Sequence, residues 1–179
     1  MRAYLSISIF SLDMKRLIAV ILLLPLFSFA QDCKLKKTKD QFTQEPKLTT
    51  GFVPFSATLL SIEADAKELD FLFSLSDKSE SKCFDDASTI SFVFEGKQKA
   101  NFRNTGTMNC EGLFHVTFKN LTTTPGVLQR LTSKKITAIS LTGNNKTVTT
   151  ISLGPTQQQE LMDLIACAVK ESKTLIKQP

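Results

Sequence analysis

Leu69-Asp70-Phe71-Leu72-Phe73-Ser74-Leu75 is the stretch on which the fold turns. Leu69, Phe71, Phe73 and Leu75 recur with a period of two, and Asp70 and Ser74 fall between them, which is the pattern of a strand with one buried face. Upstream, Thr58, Leu60 and Ile62 alternate with Leu59, Ser61 and Glu63. Downstream, Thr89 to Glu95 places Ile90, Phe92 and Phe94 on one side, and Leu113 to Phe118 does the same with Phe114, Val116 and Phe118. A weaker, more polar strand, Gln98 to Asn104, lies between the turn signals Glu95-Gly96-Lys97 and Asn104-Thr105-Gly106. The last three strands read as an up–down–up meander.

Two helices follow strands. Thr124-Pro125 opens a short one, with Thr as cap and Pro at the first helical position. Val127, Leu128 and Leu131 form its apolar stripe. A hairpin comes next, Ile136 to Leu141 and Val148 to Leu153 around Gly143-Asn144-Asn145. Gly154-Pro155-Thr156 then starts the last helix, with Thr156 and Gln159 matching a capping box. Leu161, Leu164, Ile165, Ala168 and Ser172 line one of its faces. Helices that do not alternate regularly with strands predict an α+β fold: a mostly antiparallel sheet of six to seven strands, a short crossover helix and a C-terminal helix packed on one face.

The amino terminus has a different character. Met14-Lys15-Arg16 precedes an uncharged apolar run from Leu17 to Phe27, and Ser28-Phe29-Ala30 puts small residues at −3 and −1 before Gln31. A positive start, a short greasy middle and a small-x-small exit describe a cleavable signal peptide over residues 1–30. Eleven apolar residues are too few for a spanning helix, so no membrane span is expected after cleavage. Residues 1–13 are either an over-extended start or a long n-region. Asp32, rather than a small residue, precedes Cys33, which argues against a lipid anchor. The expected organisation is therefore signal 1–30, a polar Lys-rich arm 31–51, and one domain 52–179.

Removing 30 of 179 residues leaves 149, a length suited to one core. Losing Arg2, Lys15, Arg16 and Asp13 takes the net charge from +5 to +3, too modest a balance to imply nucleic acid. All four cysteines, Cys33, Cys83, Cys110 and Cys167, survive cleavage, and none has the C-x-x-C spacing of a zinc or redox motif. An even count in an exported chain points to two structural disulfides. In an up–down–up meander the starts of the first and third strands share one end. This predicts Cys83 with Cys110 and leaves Cys33 with Cys167.

Candidate chemistry is sparse. His115, the single histidine, lies by alternation opposite Phe114, Val116 and Phe118, where it is either a general base or a hydrogen-bonded strand residue. No G-x-S-x-G turn accompanies it, which favours the second role. Asp77, Glu80, Asp85 and Asp86 share one loop. Lys78 and Lys82 intervene and no D-x-[DN]-x-[DN]-G order is present, so the loop reads as solvated, with Asp85 or Asp86 capping a turn. Lys34, Lys36, Lys37 and Lys39 could meet an anionic lipid or glycan, yet Asp32 and Asp40 bracket them and no aromatics interleave, as in a solvated arm. Fourteen phenylalanines against one tyrosine and no tryptophan build core rather than a sugar platform, although Phe52 and Phe55 could line a partner groove. Asn120 and Asn145 head N-x-[ST] sequons. No catalytic residue, cofactor-binding residue or metal ligand is assigned.

The Ser-Phe-Ala exit followed by Gln-Asp resembles the signals of exported proteins of Bacteroidota. The stretch from Cys83 through Ile90-Ser91-Phe92-Val93-Phe94-Glu95-Gly96 to Asn109-Cys110-Glu111-Gly112-Leu113-Phe114, with a strand pair and a terminal helix after it, resembles small secreted proteins of that group. The resemblance implies a periplasmic or extracellular location and no particular activity. The expected function is a non-catalytic module that binds a protein partner or an envelope component. The alternatives are a hydrolase with a dispersed carboxylate/His site, for which Asp70, Glu95, Glu111 and His115 would have to converge, and a disulfide-stapled structural protein of the envelope.

Overall fold

In a computed structural model, which describes residues 35–76 and 83–176, ten strands and two helices follow one another. They are β1 (Lys36–Lys39), β2 (Pro46–Thr49), β3 (Val53–Phe55), β4 (Thr58–Ala64), β5 (Glu68–Leu75), β6 (Thr89–Phe94), β7 (Lys99–Arg103), β8 (Leu113–Lys119), α1 (Gly126–Ser133), β9 (Ile136–Thr142), β10 (Val148–Ser152) and α2 (Pro155–Ser172). The expected leader over 1–30, Cys33, Lys34, and Asp77 and Glu80 of the acidic loop lie outside the described residues.

The α+β class and the antiparallel pairing are as expected, but the strands divide between two sheets instead of forming one. The larger has the order β1-β2-β4-β5-β8, with β3 also on β4; the smaller has the order β10-β9-β6-β7. The expected meander is thus split. β6 and β7 form a hairpin in the smaller sheet, whereas β8 leaves it to pair with β5, Phe73 opposite Phe114. Both placements bury the same alternating apolar residues, so periodicity cannot choose between them.

The buried faces meet through aromatic rings. Phe73 of β5 lies 6.3 Å from Phe92 of β6, and Phe118 of β8 lies 5.1 Å from Phe102 of β7, ring centre to ring centre. α2 packs on α1 and also touches β4 of one sheet and β9 of the other. Its buried residues, Leu161, Ile165, Ala168, Val169 and Ser172, recur at three- and four-residue intervals, the stripe of a helix with one face in the core.

The helix starts differ from expectation by one or two residues. Pro125 caps α1 rather than occupying its first turn. Gly154 caps α2 and donates its N–H to Gln157 Oε1 at 3.0 Å, so Gln157, three residues on, replaces the Thr156–Gln159 pair. β10 ends at Ser152, and this places Thr156 already inside the first turn.

Within the arm, the described residues 35–51 form strands. β1 and β2 form a hairpin, and β2 adds to β4 by pairing Leu48 with Ala64, which buries Leu48 in the core. Ser172 and Asn120, both buried, hold the end of α2: Asn120 Nδ2 donates to the Ser172 and Asp65 carbonyls at 2.9 and 2.7 Å. Its side chain is committed inside the fold, which removes the first sequon from the surface. Asn145, heading the second, is exposed.

Candidate functional site

β5 and β8 place their polar residues on the outer face of the larger sheet, since their Phe residues take the inner one. Asp70 and His115 meet there, with Nε2 3.2 Å from Oδ1. Thr117 donates its hydroxyl to the same Oδ1 at 2.7 Å, and Thr105 lies 2.9 Å from the Thr117 hydroxyl. Thr117 has a single proton and gives it to the carboxylate, so Thr105 is the donor between the two threonines. Asn104, buried, accepts from the His115 backbone N–H at 2.8 Å, and Thr105 N–H donates to the His115 carbonyl at 2.9 Å. Gly106 packs close to the base of the His115 side chain: a Cβ there would stand 3.1 Å from the His115 Cβ.

Hydrogen bonding to Asp70 raises the His115 pKa above its ordinary 6.5, against the opposing effect of burial. Burial pushes Asp70 up, but the hydrogen bonds from His115 and Thr117, with the charge of His115, together hold it below 3.8. The imidazole therefore uses Nε2 on a carboxylate, and the neighbouring hydroxyl bonds that carboxylate rather than the ring. The arrangement forms a strut between β5, β8 and the 104–106 segment.

The strut carries a pH signature. A histidine with a raised folded pKa stabilises fully below 6.5 and loses that contribution as pH rises through the folded value; an aspartate with a lowered one stabilises fully above 3.8 and loses it as pH falls through its own. The pair is strongest between those two values. Both side chains are about one-third exposed, so solvent limits the effect to about 0.2–1 kcal/mol. Urea midpoints should fall between about pH 6 and about pH 8 in the native protein and stay flatter in His115→Gln. Equal slopes in the two proteins would rule out the strut.

The other carboxylates expected for a hydrolase do not form part of this cluster. Glu95 opens the exposed turn after β6 in the smaller sheet, and Glu111 lies in the exposed turn before β8. Asp85 caps a turn, as expected of that loop, by accepting from the Ala87 and Ser88 N–H groups and the Ser88 hydroxyl at 2.8–3.0 Å. Among the described residues no three His, Cys, Asp or Glu side chains converge as a metal site.

Cys83 and Cys110 are joined, 27 residues apart. The reason differs from the meander argument, because β6 and β8 belong to different sheets. Phe84 and Asn109 form an antiparallel bridge, with backbone bonds of 2.8 and 2.9 Å, and this sets the two cysteines side by side. Cys167, half-buried on α2, is also disulfide-bonded; Cys33, the partner expected for it, lies outside the described residues. No helix among the described residues is long and apolar enough to cross a membrane.

Sequence reasoning missed one surface feature. Phe42 is 93% exposed at the tip of the β1–β2 hairpin, the most exposed large apolar side chain among the described residues. The tip itself is firmly built. Asp40 Oδ1 accepts from the Phe42 and Thr43 N–H groups at 2.9 Å each, and Asp40 Oδ2 pairs with Lys47 at 2.8 Å. Lys47 and those N–H groups hold the Asp40 carboxyl well below the usual range. Lys36, Lys37 and Lys39 line the adjoining strand, all exposed. Of the two phenylalanines expected near a groove, Phe52 is exposed and Phe55 is buried in the core. Asp40, six residues ahead of Pro46, was the available signal for a turn, but turn chemistry does not reveal whether a phenylalanine at the tip will be covered. No family model, curated protein or solved structure matches this chain.

Proposed function

We propose that the chain is an exported, non-catalytic binding module that docks a protein partner or envelope component through the Phe42 turn. The observation that carries this reading is an apolar ring held out to solvent by a turn whose own polar groups are satisfied. The hydrogen-bonded turn fixes the Phe42 backbone before binding, so the entropy lost on contact is that of the side chain. The lysines of β1 favour an acidic rim around the partner's apolar pocket. The leader read over residues 1–30 and the Cys83–Cys110 bond support an oxidising compartment, periplasmic or extracellular. The resemblance to secreted proteins of Bacteroidota agrees with that location.

Phe42→Ser should leave folding unchanged within about 0.5 kcal/mol, because surface substitutions away from special features have small effects. It should weaken capture of the partner from the native envelope fraction by about tenfold or more, the loss of one buried aromatic anchor. Equal capture by both proteins would remove the turn from the interface. A hydrolytic activity abolished by His115→Ala would instead favour the dispersed carboxylate/His reading, for which the contact of Asp70 with His115 is the supporting observation.

A further inference from the structure

The two sheets expose strand edges, and an unpaired edge is a template for another strand unless something blunts it. The hydrogen-bond parity of each strand shows which backbone groups point outward. Asp40 N–H bonds the Glu45 carbonyl, so by alternation Lys37 and Lys39 of β1 face away from β2, and a second strand would meet two lysines. Asn104 N–H bonds Ser88 and Phe94 N–H bonds Gln98, which turns Lys99, Asn101 and Arg103 of β7 outward. β3 is three residues long and contains Pro54, which has no N–H to donate.

The first half of the β8 edge, Leu113 and His115, is occupied by the 104–109 segment, and Lys119 stands at its far end. Asn109 accepts from Leu113 N–H at 3.1 Å and donates to the Leu113 carbonyl at 2.9 Å, and Asn104 and Thr105 occupy both backbone groups of His115. β10 has none of these devices. Thr147 and Leu153 bond Gly143 and Thr137 of the β9 side, so Val148, Thr150 and Ser152 direct their backbone groups outward. All three are exposed, none is charged, and among the described residues nothing covers them.

We propose that β10 pairs antiparallel with β10 of a second copy, with Thr150 on the two-fold axis, joining two four-stranded sheets into one continuous sheet. The strand is complementary to itself in that register. Thr150 opposes Thr150 and exchanges two N–H···O bonds with it, and Val148 opposes Ser152 on either side. Lys146 falls opposite Gly154, so no like charges meet, whereas the same operation on β1 or β7 sets lysines or arginine in the seam. Thr150 already shares a 3.2 Å contact with the Ser140 hydroxyl, which keeps its side chain on the outer face and out of the path of the incoming strand. This self-association is independent of what Phe42 binds.

A five-residue edge falls short of a standard interface, so the dimer should dissociate in the range of about 10–1,000 µM. Sedimentation velocity of the purified chain over that range should show a monomer–dimer equilibrium. Amide exchange at Val148, Thr150 and Ser152 should slow as concentration rises, while Thr149 and Ile151, already bonded to β9, stay unchanged. Thr150→Lys sets two lysines face to face and should weaken the dimer about tenfold or more; Thr150→Pro removes the central donors and should do at least as much. Asn101→Lys on the β7 edge should have no effect. A monomer at every concentration, a dimer indifferent to both Thr150 variants, or exchange protection that appears only when an envelope extract is added would each overturn the proposal.

Discussion

Phe73→Ala is expected to destabilise the protein by about 3–5 kcal/mol, the cost of removing a phenylalanine from a core that cannot collapse around the gap. Phe73 is fully buried on β5, flanked on its own sheet by Leu60 of β4 and Phe114 of β8. Across the interface it meets Phe92 at 6.3 Å. Neither sheet can close on the void without breaking the register that places the other phenylalanines. Domains are stable by only about 5–15 kcal/mol, so this one change consumes a large share of the total. Urea or thermal unfolding followed by near-ultraviolet circular dichroism measures it. The comparison with Phe42→Ser is the informative one: two phenylalanines in one chain, one costing several kcal/mol and the other almost nothing. A loss below about 1 kcal/mol for Phe73→Ala would mean the inter-sheet packing is wrong.

Removing the Cys83–Cys110 bond is the second large expected effect. A closed loop of this length, with the cysteines separated by 27 positions in sequence, constrains the unfolded chain by about 3.5 kcal/mol in the loop-entropy picture. The native state retains part of the junction without it. Phe84 and Asn109 still exchange two backbone hydrogen bonds, and the Phe84 ring still stands edge-on to Phe114 at 5.1 Å. The Cys83→Ala/Cys110→Ala protein should therefore fold and should unfold at a lower urea midpoint, by about 2–4 kcal/mol. The same shift should follow selective reduction of that bond in the native chain. An unchanged midpoint would show that the bridge of Phe84 and Asn109, and not the covalent link, holds the segment.

Much of the local structure was legible in the residues themselves. Strands β5, β6 and β8 follow from Phe, Leu and Ile at alternate positions, because successive side chains of a strand point to opposite faces. The stripe of α2 follows from the helical repeat in the same way, and Ser172 kept its place on that stripe although it is polar. The loop of Asp85 behaves as Asx chemistry dictates. His115 was correctly assigned to the polar face of β8, since the alternation of its neighbours leaves no other side.

What was not legible is which element each of these faces meets. Asp70 and His115 are 45 residues apart, and their contact exists only because β5 and β8 pair. Asn104 and Asn109 look like ordinary turn residues, yet they occupy the Leu113 and His115 end of the β8 edge. Phe42 and Phe55 are the same side chain in similar polar surroundings, and one is exposed while the other is core.

The sequence by itself determined the periods, the turns and the α+β class, because these depend on side chains within a few residues of one another. Only the tertiary structure decided that there are two sheets, that β8 joins β5 instead of β7, and that β10 is left with a bare edge. The physical reason is that backbone hydrogen bonds are the same for every residue type. An alternating strand offers identical donors and acceptors to any neighbour, and the choice of neighbour is made by how the apolar faces of distant segments fill one shared interior.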